Sequence, residues 1–208
     1  MRNLLIFVVA VFTASSAGAV MISADADGYG NGDNISAAFV GITLSAVGGY
    51  TGLDGQVYAW ADGLASTGAN VFANNLSFQR QWYAEAADGF ALRADFGQLA
   101  DFVAIDIIGD DSGDYGVLYA YNLSDELIDS VLSPELSYGQ VFTAEISSSA
   151  FDIAYIIAGG AGATQDSIHL DNLTANIPEP TTLLLLSLGG FMLVKKTQRP
   201  KSIARTAK

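Results

Sequence analysis

The sequence predicts an all-β chain whose centre is a single antiparallel β-sandwich. Three observations lead there. Apolar residues recur in short runs separated by Gly, Asn, Asp and Ser, Gly is frequent, and no Pro stands between Val20 and Ser133. No window in that interior sustains a 3.6-residue apolar period long enough to argue for a helix. Roughly ten runs at intervals of about 8–12 residues are the pattern of a sandwich or jelly roll.

Taken in order, the first candidate strands are 38–46, 56–60, 76–84 and 90–96. Phe102-Val103-Ala104-Ile105-Asp106-Ile107-Ile108 is a strand ended by Gly109-Asp110-Asp111-Ser112-Gly113-Asp114. Asp110, Asp111 and Asp114 there are also calcium candidates, but the Asp and Gly of the segment are what a tight hairpin turn requires, and that is the favoured reading. Residues 115–121 form the next strand, and Asn122-Leu123-Ser124-Asp125 turns the chain into 126–132. Runs 141–146, 151–157 and 167–175 complete the set. The pattern shows no internal repeat and leaves the strand order open.

Both ends of the chain read differently. Arg2, the apolar run 4–11 and the small residues Ala14-Ser15-Ser16-Ala17-Gly18-Ala19 make a secretory signal peptide over 1–19, with cleavage after Ala19. Near the other end, residues 181–194 carry no charge. As a helix they span roughly 21 Å at about 1.5 Å per residue, short of the ~30 Å hydrocarbon core. Their flanks decide the reading. Pro178 and Pro180 cannot continue a helix interior, while Lys195, Lys196, Arg199, Lys201, Arg205 and Lys208 follow with no acid after Glu179. A basic cluster of this kind is held on the cytoplasmic side. The expectation is a transmembrane helix over 181–194, a membrane stop at Lys195, Lys196 and Arg199, and a basic cytoplasmic tail over 200–208. Residues 20–176 remain as one mature domain of ordinary size.

The order Pro178-Glu179-Pro180, short apolar span, basic cluster covers residues 177–199 and resembles the PEP-CTERM sorting signal. The resemblance implies recognition near the tripeptide by exosortase, a membrane-bound cysteine-type transpeptidase. Cleavage and transfer to the cell surface or an extracellular polysaccharide matrix of Gram-negative-type bacteria would follow. Lys195-Lys196 with a later Arg199 stands where such signals usually carry a tight Arg run.

Composition narrows what the mature domain does. Between residues 20 and 176 only Arg80 and Arg93 are cationic, against 21 acidic residues, so this segment carries a formal charge of −19 where the whole chain carries −13. Nucleic-acid phosphates demand Lys and Arg, and anionic lipid repels such a surface. The imbalance favours solubility and counter-ion binding, with divalent cations the natural candidates. With no Cys in the chain, the domain has no disulfide and is held by its core alone.

A second resemblance rests on 35–44, Ala69-Asn70-Val71-Phe72-Ala73, 102–106, 115–121 and the closing Ile168-His169-Leu170-Asp171-Asn172-Leu173. These look like the β-sandwich ectodomains that often precede PEP-CTERM segments, similar in general design to galactose-binding-like jelly rolls. In sandwiches of that type a structural calcium often bridges the first and last strands. The resemblance therefore implies a Ca²⁺ shared by Asp27 and Asp171, with Asp25 beside them. The loop from Asp25 to Asn34 supplies the oxygens a hard cation wants. It is not an EF-hand, because Tyr29 and Ser36 stand at positions five and twelve. The alternative is a solvated leader into the first long strand.

His169 is the only histidine. It alternates with Ile168 and Leu170, so it faces away from them and partly into water. One His is no evidence for a catalytic triad or, without Cys, for a usual zinc site. Trp60 and Trp82 are candidates for stacking against sugar rings, though aromatic residues of this kind also build sandwich cores. The favoured function is a non-catalytic structural or interaction protein of the cell surface or matrix. A carbohydrate-binding or Ca²⁺-dependent adhesive module is the alternative. A secreted glycoside hydrolase is a more distant one, since nothing singles out a pair of carboxylates.

Overall fold

The computed structural model describes residues 18–76, 80–84, 89–162 and 167–179. Among these, eleven strands run between Ala19 and Pro178: β1 (Ala19–Ala24), β2 (Ile42–Gly48), β3 (Tyr58–Ala61), β4 (Asn70–Ala73), β5 (Phe90–Ala100), β6 (Phe102–Gly109), β7 (Gly116–Tyr121), β8 (Leu127–Leu132), β9 (Val141–Ser147), β10 (Ile153–Gly160) and β11 (Ile168–Pro178). The order β1-β11-β6-β9 forms a four-stranded sheet, β2-β5-β10-β7-β8 a five-stranded sheet, and β3-β4 a separate hairpin. All strand pairings are antiparallel. From β5 onward the chain passes back and forth between the two large sheets, except for the β7–β8 hairpin within the five-stranded one, which makes a jelly-roll-like sandwich.

Alternation along each strand explains why the sheets stack. Ile42, Leu44 and Ala46 of β2, Leu92 and Ala94 of β5, Leu118 and Ala120 of β7, and Ile156 and Ala158 of β10 point inward from one sheet. Val103, Ile105 and Ile107 of β6, Ala144 and Ile146 of β9, and Leu170 and Leu173 of β11 meet them from the other. Each large aliphatic side chain buried this way contributes about 1.5–3 kcal/mol against the chain entropy lost on folding.

Four elements depart from the sequence expectation: β1 and β4 form where no strand was expected, and two expected strands are lost or shortened. Among the described residues of the expected strand 76–84, Leu76 and 80–84, none belongs to a strand. Trp82 bridges to Ile168, while Tyr83 bridges to both Phe90 and Gly160. A segment whose peptide groups are divided between the two sheets cannot continue in either ladder. The expected strand 38–46 begins later, at Ile42, because Phe39 and Ile42 close a turn around Gly41, whose φ is +82°.

In β11 the register shifts between Asp171 and Thr174. Asn172 there adopts φ +48°, a left-handed conformation. This bulge turns Asp171 to the outer face of the sheet while Leu173 enters the core.

Pro178 is the last residue of β11 and lies opposite Ala19. The signal peptide, apart from Gly18 and Ala19, lies outside the described residues. So do Pro180, the span 181–194, Lys195, Lys196, Arg199 and the tail. Among the described residues, no helix is long and apolar enough to cross a membrane.

Candidate functional site

Polar side chains converge on the outer face of the four-stranded sheet. Outward positions alternate with core positions, so His169 and Asp171 on β11 and Asp106 on β6 point away from the sandwich interior. They are nevertheless buried, Asp171 completely, because the loop that joins β3 to β4 covers them. Asp106 and Asp171 are direct cross-strand partners, an arrangement in which like charges repel. Ser66 intervenes, its Oγ lying 2.8 Å from Asp106 Oδ2 and 3.0 Å from Asp171 Oδ2. Thr143 donates to Asp106 Oδ1 at 2.6 Å, and Asn172 Nδ2 donates to Asp106 Oδ2 at 3.1 Å. The amides of Ser66 and Thr67 donate to Asp171 Oδ2 at 3.0 and 3.1 Å.

Asp25 and Asp171 are joined through Thr67 at one end of this seam, with Asp27 held by the next residues of the same loop, but the three are not among the described residues whose carboxylate oxygens cluster closely enough for one ion. Thr67 Oγ1 lies 3.2 Å from both Asp25 Oδ2 and Asp171 Oδ2. Asp27 Oδ1 accepts from the amides of Ala69 and Asn70 at 2.7 and 2.9 Å. Burial pushes the Asp27 carboxyl up, but those two amides, with Thr67 and Asp25, outweigh it and hold the group below its ordinary value. For Asp171 the balance is reversed. Burial raises its carboxyl above the usual range despite the donors from Thr67, Ser66 and Asn172. The three carboxylates thus sit in a knot of N–H and O–H donors that ties the loop after β1 and the β3–β4 loop to the last strand.

At the other end the structure brings His169 and the Asp110 turn together with Asp62 and Arg80, a grouping the sequence did not show. His169 is 5% exposed, which corrects the expectation that it meets water. The outward direction was right, but the covering segments shut solvent out. Its Nδ1 lies 3.5 Å from Asp62 Oδ2 and its Nε2 3.9 Å from Asp110 Oδ2. Arg80 Nη1 reaches the same Asp62 oxygen at 2.8 Å, an ion pair without hydrogen-bond alignment. Burial pushes the imidazole below its ordinary 6.5, against the pull of Asp62 and Asp110. Asp110 Oδ2 accepts from Gln81 and from the Ser167 hydroxyl. Asp114 Oδ2 accepts the amides of Asp110 and Asp111 at 2.7 and 2.8 Å. The Asp114 charge lifts the exposed Asp111 carboxyl above its usual value.

The outer face of the five-stranded sheet has a different chemistry. The registers place Thr43, Asp95, Tyr155 and Tyr121 in one row across β2, β5, β10 and β7. Ser45, Arg93, Ile157 and Tyr119 form the next row. Arg93 Cζ stands 3.7 Å from the centre of the Tyr155 ring. On its other face Tyr155 stacks against Tyr121, with centroids 4.9 Å apart and planes 11° from parallel. Asp95 fixes the guanidinium, accepting from Nη2 at 2.6 Å, and the Tyr155 hydroxyl donates to Asp125 at 3.0 Å. A shallow pocket lined by Val47, Tyr83, Ala91 and Ile157 continues this face.

The tryptophans expected to meet sugar lie elsewhere. Trp82 is fully buried and donates from Nε1 to the Phe72 carbonyl at 3.1 Å, so it presents no face to solvent. Its volume fills the space where the 80–84 segment crosses the sandwich. Trp60 is half-buried on the β3–β4 hairpin, away from the tyrosine rows. Alternating outward positions on β5, β7 and β10 were the signal for the Arg93 face, but their strand order was not legible.

No protein-family model matches the chain, and no curated protein does. Some solved structures are similar to it at low identity. The K2 cleaved adhesin domain of Lys-gingipain is 12% identical, with a TM-score of 0.46, covering 75% of this chain and 99% of that one. The K1 domain from Porphyromonas gingivalis W83 is 13% identical, with a TM-score of 0.44 over 75% of this chain and 97% of that one. The C-terminal family 22 carbohydrate-binding module of Clostridium thermocellum Xyn10B is 12% identical, with a TM-score of 0.40 over 75% and 98%.

Proposed function

We propose that this chain is an exported protein of the cell surface or extracellular matrix, delivered by its PEP-CTERM-like segment, and that its sandwich works by binding. Its ligand is an uncharged polysaccharide, held on the outer face of the five-stranded sheet. The observation that carries this reading is the Arg93–Tyr155–Tyr121 stack on that face. It sets amphipathic groups in fixed positions on paired strands, so little side-chain freedom is left to lose on binding.

Tyr155 is covered on both faces and acts as the spacer. Tyr121, Tyr119 and the guanidinium edge supply apolar surface and hydrogen-bonding groups for sugar hydroxyls. The formal charge of −19 over residues 20–176 repels polyanions and leaves neutral glycans as the compatible class. A hydrolase would need two carboxylates flanking the scissile bond in an open cleft. The acidic pairs gathered here, Asp106 with Asp171 and, about His169, Asp62 with Asp110, are buried instead, which supports binding over hydrolysis.

Affinity electrophoresis through gels containing neutral glucan, neutral galactan or anionic alginate tests the proposal. Retardation is expected in a neutral gel and not in alginate, with at least a tenfold weakening in Tyr121→Ala and Arg93→Ala. Equal mobility of wild type and variants in every gel overturns it.

A further inference from the structure

We propose that the turn between β6 and β7, residues Asp110, Asp111 and Asp114, is a calcium-binding site. This site is independent of the glycan face and of the Asp25–Asp171 knot. One carboxylate oxygen from each residue lies within 4.8 Å of the others. Calcium–oxygen distances of about 2.3–2.6 Å place opposite ligands up to roughly 5 Å apart, so one ion can touch all three. Magnesium, at about 2.0–2.1 Å, would require a tighter cluster.

An acidic turn alone would mean little, but a buried orphan oxygen in it points to a ligand. The Asp110 side chain is 7% exposed, and its Oδ2 is met by Gln81 and Ser167, but its Oδ1 is buried without any donor. A buried carboxylate oxygen left without a partner calls for a water or an ion. His169, whose side chain is 6% exposed, stands beside this carboxylate with Nε2 3.9 Å from Asp110 Oδ2.

The turn is also built to hold its shape. Asp114 Oδ2 receives the amides of Asp110 and Asp111, and Gly113, at φ +97°, lets the chain curl. Asp111 is exposed, which leaves room for waters to complete the six to eight oxygens that calcium takes. The all-oxygen donor set suits a hard cation better than a transition metal.

Isothermal titration of the full chain in mild detergent, after chelator treatment, tests the site with CaCl2 as the probe. Terbium emission sensitised by the nearby tyrosines gives a second readout. Calcium binding and a raised melting temperature are expected, with at least a tenfold loss of affinity in Asp111→Asn and in Asp110→Asn. Asp171→Asn is expected to keep the affinity of this site. Because Asp111 is exposed, its variant folds even where Asp110→Asn does not. The proposal is overturned by the absence of binding at millimolar calcium or by wild-type affinity in Asp111→Asn. Loss of binding in Asp171→Asn alone, or an equal response to MgCl2, overturns it as well.

Discussion

His169 is held by burial in its neutral form, with Asp62, Asp110 and Asp114 on one side of the balance and Arg80 on the other. Its folded value lies below the ordinary 6.5, so on acidification the unfolded chain takes up the proton first. The linked stability is present above about pH 6.5 and is lost as pH falls from there through the folded value. Thermal melts of the wild type are therefore expected to show a falling melting temperature between about pH 7.5 and 5.5, whereas His169→Gln shows a flatter profile in that window. An identical slope in both proteins would assign the effect to other groups. Asp111, Asp114 and Asp171 have raised values. Their contribution has the opposite sign and a lower window, since stability rises as pH falls from their folded values toward the ordinary 3.8.

Strand β10 shows how an element fixes its neighbours. Its inward Ile156 and Ala158 serve the core, and its outward Tyr155 and Ile157 serve the candidate glycan face. At its end Gly159 has no side chain because another segment passes there. A Cβ at Gly159 would sit 2.6 Å from the backbone nitrogen of Ala84. That close approach lets Tyr83 bridge to Gly160 and close the side of the pocket. Gly159→Val is expected to cost about 1–3 kcal/mol through overpacking, measured as a lower urea midpoint at unchanged slope. A midpoint equal to wild type would mean that the 80–84 segment is not held where it crosses. The bulge in β11 is a comparable device, since without it Asp171 and Leu173 would share one face.

At the scale of the whole molecule, distribution of charge decides more than its sum. The acidic sandwich and the basic tail carry opposite signs, which suits a chain whose parts belong on opposite sides of a membrane. Expressed in an exosortase-bearing host, the wild-type chain is expected to be shortened and to leave the membrane fraction. Replacing Pro178, Glu179 and Pro180 together by Ala is expected to leave it full-length and membrane-associated. A wild-type chain found intact in the cytosol refutes the delivery half of the proposal. Binding by the sandwich would then have to be explained without export.

The sequence by itself determined that the interior is all-β, because the period-2 apolar pattern and the Gly/Asp turns are local properties of the chain. It determined the charge asymmetry for the same reason. The tertiary structure alone decided that His169 is dry, that Trp82 is core, and that Arg93, Tyr121 and Tyr155 share a face. Those facts depend on which strands become neighbours and which loop covers an outward side chain. Contacts between residues scores of positions apart leave no mark in local periodicity.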